Sequence, residues 1–222
     1  MKLDINRREL TSKTMRVDRG GTEISKSMQP IHLRNEDTRL YLWSLYVILV
    51  CTLGLFLAET IYGIWTGSHF LIKDGVEWIY DISAFGLAAI AFRHGERWKR
   101  RTAYLLVAII LLGGIQTLYE LWQEFTRPTL DKMETLEVSA AITIGGSIAE
   151  AALMFRFRKS HDPLVEGTWL YARNSAFTSS MGPISDMIIL AYGFDTLKFV
   201  VSGFSVFLSV QAAFAVIRDL RN

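Results

Sequence analysis

Three carboxylates interrupt an otherwise apolar segment, "HFLIKDGVEWIYDISAFGLAAIAF", which runs from His69 to Phe92: Asp74, Glu77 and Asp81. On a helix turning about 100° per residue, their i, i+3, i+7 spacing keeps them within about 60° of one another. One face is therefore acidic and the others are apolar. Glu77 and Asp81, one turn apart, can offer oxygens to a single divalent cation. Asp74 sits closer to the start of the segment, where it either joins that face or caps the helix in interfacial water. An acid at the centre of a membrane span costs about 2.5–3.5 kcal/mol on insertion scales, so Asp81 implies a cavity, a partner or an ion path.

The elements that must position these acids are six apolar blocks, at about 41–65, 68–92, 103–123, 136–157, 170–192 and 197–217. Each is near the roughly 20 residues that cross a hydrocarbon core of about 30 Å. Half of the 222 residues are hydrophobic, and a block such as "LWSLYVILVCTLGLFLA" is apolar on every side rather than along one stripe. The expected fold is an all-α membrane protein, a bundle of six transmembrane helices in a lipid bilayer, with residues 41–222 as its membrane domain.

Basic residues alternate between heavy and light loops: nine lie in 1–40, one at Lys73, five in 93–101, two at Arg127 and Lys132, three in 156–159, one at Lys198 and two at Arg218 and Arg221. The positive-inside rule then puts both termini in the cytoplasm and the protein in the cell (inner) membrane. Residues 1–40 mix both charge signs with few large apolar side chains and read as a mobile cytoplasmic tail; no apolar run follows the first charges as it would in a signal peptide. The net charge of +2 implies no nucleic-acid partner. Cys51 is the single cysteine, which excludes an intrachain disulfide and a thiolate metal cluster.

Other polar residues fall inside the blocks. Glu59 and Glu120 are close to outer ends and read as interfacial. Glu150, two turns from the end of the fourth block, suits either a helix-packing hydrogen bond or a proton site. His32, His69, His94 and His161 are scattered and form no metal box. No Ser-His pair or His-Glu-x-x-His stretch supports an intramembrane enzyme. Gly145 with Ala149, and Gly146 beside Glu150, offer small residues for close packing of the fourth helix.

The segment "GIWTGSHFLIKDGVEWIYDISA", the "RWKRR" loop, "LYELWQEFTRP", "RFRKSHDPLVEGTWLYARNSAF" and "RDLRN" together resemble the membrane domain of the cation diffusion facilitator (cation efflux) family, over about Tyr41 to Asn222. The resemblance implies six spans, a homodimer, and exchange of a divalent cation such as zinc for protons, with the metal as transported substrate and no resident cofactor. Gly67-Ser68, Asp74, Glu77 and Asp81 fall on the family's second-span pattern, which makes Glu77 and Asp81 half of the metal site. Oxygen ligands favour a harder cation than a histidine site does. The other half is expected from the fifth span. There the short relatives without a cytoplasmic domain read Arg-Asn-Asp followed four residues later by Asn, whereas this chain has Arg173, Asn174, Ser175 and Ser179. Pro183 frees the Ser179 carbonyl, adding an oxygen to that turn. Asp186 shares the Ser179 face and is expected either to form an outer acidic pair with Asp74 or to hydrogen-bond a neighbouring helix or interfacial water.

The sequence thus points to a divalent cation/proton antiporter with Glu77 and Asp81 as main ligands. The alternative, favoured by the neutral Ser175 and Ser179 hydroxyls, is a degenerate family member that does not transport and acts as a membrane interaction or regulatory partner.

Overall fold

A computed structural model describes residues 35–67, 69–126, 133–194 and 196–221. Among them every regular element is an α-helix: α1 (Asn35–Thr66), α2 (His69–His94), α3 (Glu96–Thr126), α4 (Met133–Phe155), α5 (Pro163–Tyr192) and α6 (Thr196–Arg221). Each apolar block has become one helix. Most of the tail assigned to 1–40 lies outside the described residues, and α1 begins at Asn35, within it.

Helix boundaries depend on local backbone chemistry that hydropathy does not report. Gly95, at φ 93°, is the single residue between α2 and α3, so the basic "RWKRR" stretch is the first turns of α3 rather than a loop. At the start of α5, Asp162 caps the helix, its Oδ1 accepting from the backbone N–H groups of Leu164 (3.0 Å) and Val165 (3.4 Å), with Pro163 in the first turn. Gly193, at φ 73°, closes the other end of α5 and donates its N–H to the Ile189 carbonyl at 2.7 Å.

Polarity is inverted relative to a water-soluble domain. Val50, Ile61, Trp65, Ile115, Phe207 and Phe214 are exposed, while Thr52, Glu59, Asp81, Glu150, Asn174 and Ser205 are buried. Such a surface suits hydrocarbon, and such an interior needs internal partners. Three helical stretches, Glu36–Thr66, Glu96–Gln123 and Thr196–Arg221, are long and apolar enough to cross a membrane by composition alone, and Ala140–Phe155 is a shorter apolar stretch. The dilution of α2 and α5 has a cause: both carry polar residues that line the cavity described below.

Packing neighbours run α1, α2, α3, α6, α5, α4 and back to α1, while α5 also touches α2 and α3 across the ring. Close approach depends on small residues at specific points. A Cβ on Gly167 of α5 would stand 2.8 Å from the Leu106 side chain of α3, and one on Gly146 of α4 would stand 3.0 Å from both Trp78 of α2 and Leu55 of α1. Gly146, not its neighbour Gly145, is therefore the packing glycine of α4; around Gly145 there is open space.

The apolar core occupies the Gly95 end of the bundle. Tyr41, Leu45 and Ile48 of α1, Phe85 and Ala88 of α2, Leu106 and Ile110 of α3, Met154 of α4, Leu164 and Val165 of α5, and Val216 and Leu220 of α6 form one buried cluster. A buried hydrogen bond at 3.0 Å between the hydroxyls of Tyr41 and Thr168 ties α1 to α5 within it.

Candidate functional site

Beyond that core, toward the Gly67 end, a half-open cavity of about 110 Å³ lies where α2, α3, α5 and α6 meet. Glu77, Tyr80 and Asp81 line it from α2, and Asn174, Ser175, Thr178 and Ser179 line it from α5. The two acids and the two serines singled out in the sequence thus share one space. Asp81 is 6% exposed, and its Oδ1 accepts a hydrogen bond from the Tyr171 hydroxyl at 2.7 Å. Ser175 also hydrogen-bonds Asp81. Tyr171 is itself held edge-on against Phe85, with ring centroids 5.7 Å apart. Asp81 is therefore oriented by two hydroxyls from α5, the kind of outer partner that fixes a ligating carboxylate.

Asn174 presents a different feature. Arg173 donates to its Oδ1 from Nε (3.2 Å) and Nη2 (3.0 Å), and Nη2 also donates to Gln211 Oε1 of α6 at 2.6 Å. The amide is thus locked, and its Nδ2, buried at the cavity wall, has no hydrogen-bond partner. Helix α5 continues through Pro183, which withholds the N–H that the Ser179 carbonyl would otherwise receive.

Two acids read as interfacial are placed otherwise. Glu120 of α3 lines the same cavity, and Gln116 Nε2, one turn earlier, donates to its Oε1 at 3.0 Å. Glu59 is 4% exposed and accepts from the Trp78 indole N–H at 2.7 Å. Position along a span suggested water for both, and their neighbours could not be read from one helix at a time. Tyr171 lies in an apolar run, and its sequence context gives no sign of its bond to Asp81.

The remaining expected residues are more scattered. Asp186 pairs with Lys198 of α6, Oδ1 to Nζ 3.1 Å, with both side chains about one-third exposed. The side chain of Asp74 lies outside the described residues. Exposed His94 has its Nδ1 2.7 Å from the Ile90 carbonyl. Among the described residues, no three His, Cys, Asp or Glu side chains are grouped so as to hold a metal ion. A larger surface groove of about 490 Å³ runs beside Tyr46, Leu49, Gly86, Ala89 and Ile90, with Arg93 and His94 at its rim. It has no carboxylate, so the smaller cavity is the chemically equipped one.

An all-helical bundle with an apolar exterior and three carboxylates, Glu77, Asp81 and Glu120, lining one cavity is the build of a polytopic membrane transport protein. The chain matches the cation efflux transmembrane domain over residues 45–221 and belongs to that family, a family of membrane cation transporters rather than enzymes. No curated protein matches it.

Proposed function

We propose that this protein exchanges a divalent metal cation such as zinc for protons, and that Glu77 and Asp81 are the principal ligands, assisted by Ser175 and Ser179. One observation carries the reading: these four side chains, from two helices that meet across the ring, line a single half-open cavity. Two carboxylates neutralise the cation's charge, and hydroxyl oxygens complete a coordination shell, which for zinc needs oxygens at about 2.0–2.2 Å. Binding to carboxylates requires their ionised form, so cation uptake and proton release are linked. The basic-residue pattern supports cytoplasmic termini in the cell membrane, and the family resemblance supports a homodimer.

The second reading, a non-transporting partner, is favoured by the lack, among the described residues, of three grouped metal-ligating side chains. The two are separated in proteoliposomes. Zinc-driven proton movement that is present in the parent protein and abolished in Glu77→Gln with Asp81→Asn supports transport. Absence of zinc binding heat and flux in the parent protein supports the partner role.

A further inference from the structure

Glu150 of α4 is 4% exposed and contacts none of the groups assigned to the cation through any hydrogen bond of its own. Its Oε1 lies 2.6 Å from the Thr52 hydroxyl of α1, and its Oε2 is buried with no hydrogen-bond partner. The same Thr52 hydroxyl is 2.8 Å from the Ile48 carbonyl. A hydroxyl has one hydrogen, and here two acceptors compete for it. Both short contacts become hydrogen bonds when Thr52 donates to Ile48 and the Glu150 carboxyl supplies its own proton to the Thr52 oxygen, and the unpartnered Oε2 is then the oxygen of a neutral carboxyl.

The surroundings favour the same assignment. Among the described residues, the titratable groups that interact electrostatically with Glu150 are Asp81 of α2 and the Tyr171 hydroxyl of α5. On α1, Glu59 lies two turns beyond Thr52 on the same face and is engaged by Trp78. All of these are acids or a phenol. Among the described residues no salt bridge reaches Glu150 from a Lys, Arg or His. An ionised carboxylate buried beside another acid and lacking a cation is strongly disfavoured, so a proton takes the place of the missing countercharge.

We propose that Glu150 is a proton-carrying site of the antiport, separate from the cation ligands: it holds one proton while the cavity is empty and gives it up when a divalent cation binds at Glu77 and Asp81. This rests on the antiport reading above. The carboxyl O–H bond breaks, the electron pair stays on the carboxylate, and the proton leaves to water. The cation's charge near Asp81 favours the ionised form of Glu150, and by reciprocity ionised Glu150 favours the cation. Typical couplings of this kind amount to about 5–150-fold in affinity.

Infrared difference spectroscopy with calorimetry tests it on the full chain, using zinc as the probe. The zinc-free protein at neutral pH should show a protonated-carboxyl stretch that Glu150→Gln lacks and that Thr52→Val, by removing its hydrogen-bond partner, shifts. Zinc should erase that band, and Glu150→Gln should still bind zinc while releasing one proton fewer per zinc, as read from heats in buffers of different ionisation enthalpy. A band unchanged in Glu150→Gln, or an unchanged proton count, overturns the proposal whatever the transport result. If Glu77→Gln with Asp81→Asn leaves zinc binding intact while the Glu150 band behaves as expected, the ligand assignment fails and the proton assignment stands.

Discussion

Gly145 and Gly146 are adjacent, chemically identical and both helical, yet the same substitution should act on them with opposite sign. Replacing glycine by alanine within a helix gains about 0.8–1.0 kcal/mol of propensity, largely from backbone entropy. At Gly145 the added methyl meets open space, so Gly145→Ala should stabilise the protein by up to that amount. At Gly146 it meets Trp78 Cη2 and Leu55 Cδ1, both at 3.0 Å. Leu55 is half-buried and can change rotamer. Trp78 cannot, because its ring is 3% exposed and its indole N–H is held by Glu59 at 2.7 Å. Overpacking against such a group costs about 1–3 kcal/mol, which leaves Gly146→Ala destabilised by roughly 0–2 kcal/mol after the propensity gain. Trp78 stands between Glu77 and Asp81 in sequence, so its displacement should also weaken zinc binding. Thermal unfolding in detergent of the two variants beside the parent, with zinc calorimetry on each, measures both effects. Equal stability of the two variants would refute the seating of Trp78 on Gly146.

Four further outcomes are expected. Ser175→Ala removes a hydroxyl from the cavity and a donor from Asp81, and a hydrogen bond to a charged group is worth about 1.5–3 kcal/mol, so zinc affinity measured by calorimetry should fall at least tenfold. Ser205→Ala, which deletes a buried hydroxyl without a partner, should leave zinc affinity unchanged and stability equal or higher. Asp162→Ala should cost about 1 kcal/mol of stability through the lost α5 cap, whereas Asp162→Asn keeps the cap and loses only the 3.1 Å Lys99 pair; chemical denaturation should rank them Asp, Asn, Ala. At the start of α5, ahead of its apolar block, burial and a hydrogen bond with the Asp219 carboxyl push the Glu166 carboxyl up to about 7. The unfolded carboxyl ionises near its ordinary value of 4.5, so between these limits the folded state holds the extra proton and stability falls as pH rises. Glu166→Gln should flatten unfolding midpoints across that window.

The six helices were legible because a membrane span has to be long and apolar, and each block meets that demand within itself. Their ends were not, since Gly95 and the Asp162 cap act through one residue's backbone or side chain against a background of charged residues common to loops and helix termini alike. The acids of "DGVEWIYD" were legible as candidates because helical spacing puts them on one face, and the serines of "ARNSAFTSS" because the family resemblance puts a ligand pair at their positions. Which faces meet is a property of pairs of helices. Thus Glu120 looked interfacial by its depth and yet lines the cavity, and Glu59 looked interfacial and yet accepts the Trp78 indole. Tyr171 carries no signal in sequence at all; only the crossing of α2 and α5 turns its hydroxyl onto Asp81.

The cavity and the apolar core divide the bundle between them, and this division bears on how a cation changes sides. The cavity is lined by hydroxyls, amides and carboxylates, with Ile109 and Ile110 on its α3 wall; one turn further along α3, toward the Gly95 end, Leu106 is 2% exposed and seated against Gly167. Much of the seam around it is alanine: Ala84, Ala88 and Ala91 on α2, Ala103 on α3, Ala212 and Ala213 on α6. Alanine contacts bury less apolar area than leucine contacts, so parting these helices costs less at about 25 cal/mol per Å², and the Leu106 contact with Gly167 is what holds α3 to α5 there. Leu106→Ala should destabilise the fold by about 2–5 kcal/mol yet leave equilibrium zinc affinity nearly unchanged, because Leu106 does not line the cavity that holds the proposed ligands. Zinc release into the Gly95-side compartment, followed by a chelating dye in stopped-flow, should be faster in the variant. A release rate equal to that of the parent would show that the cation leaves by another route.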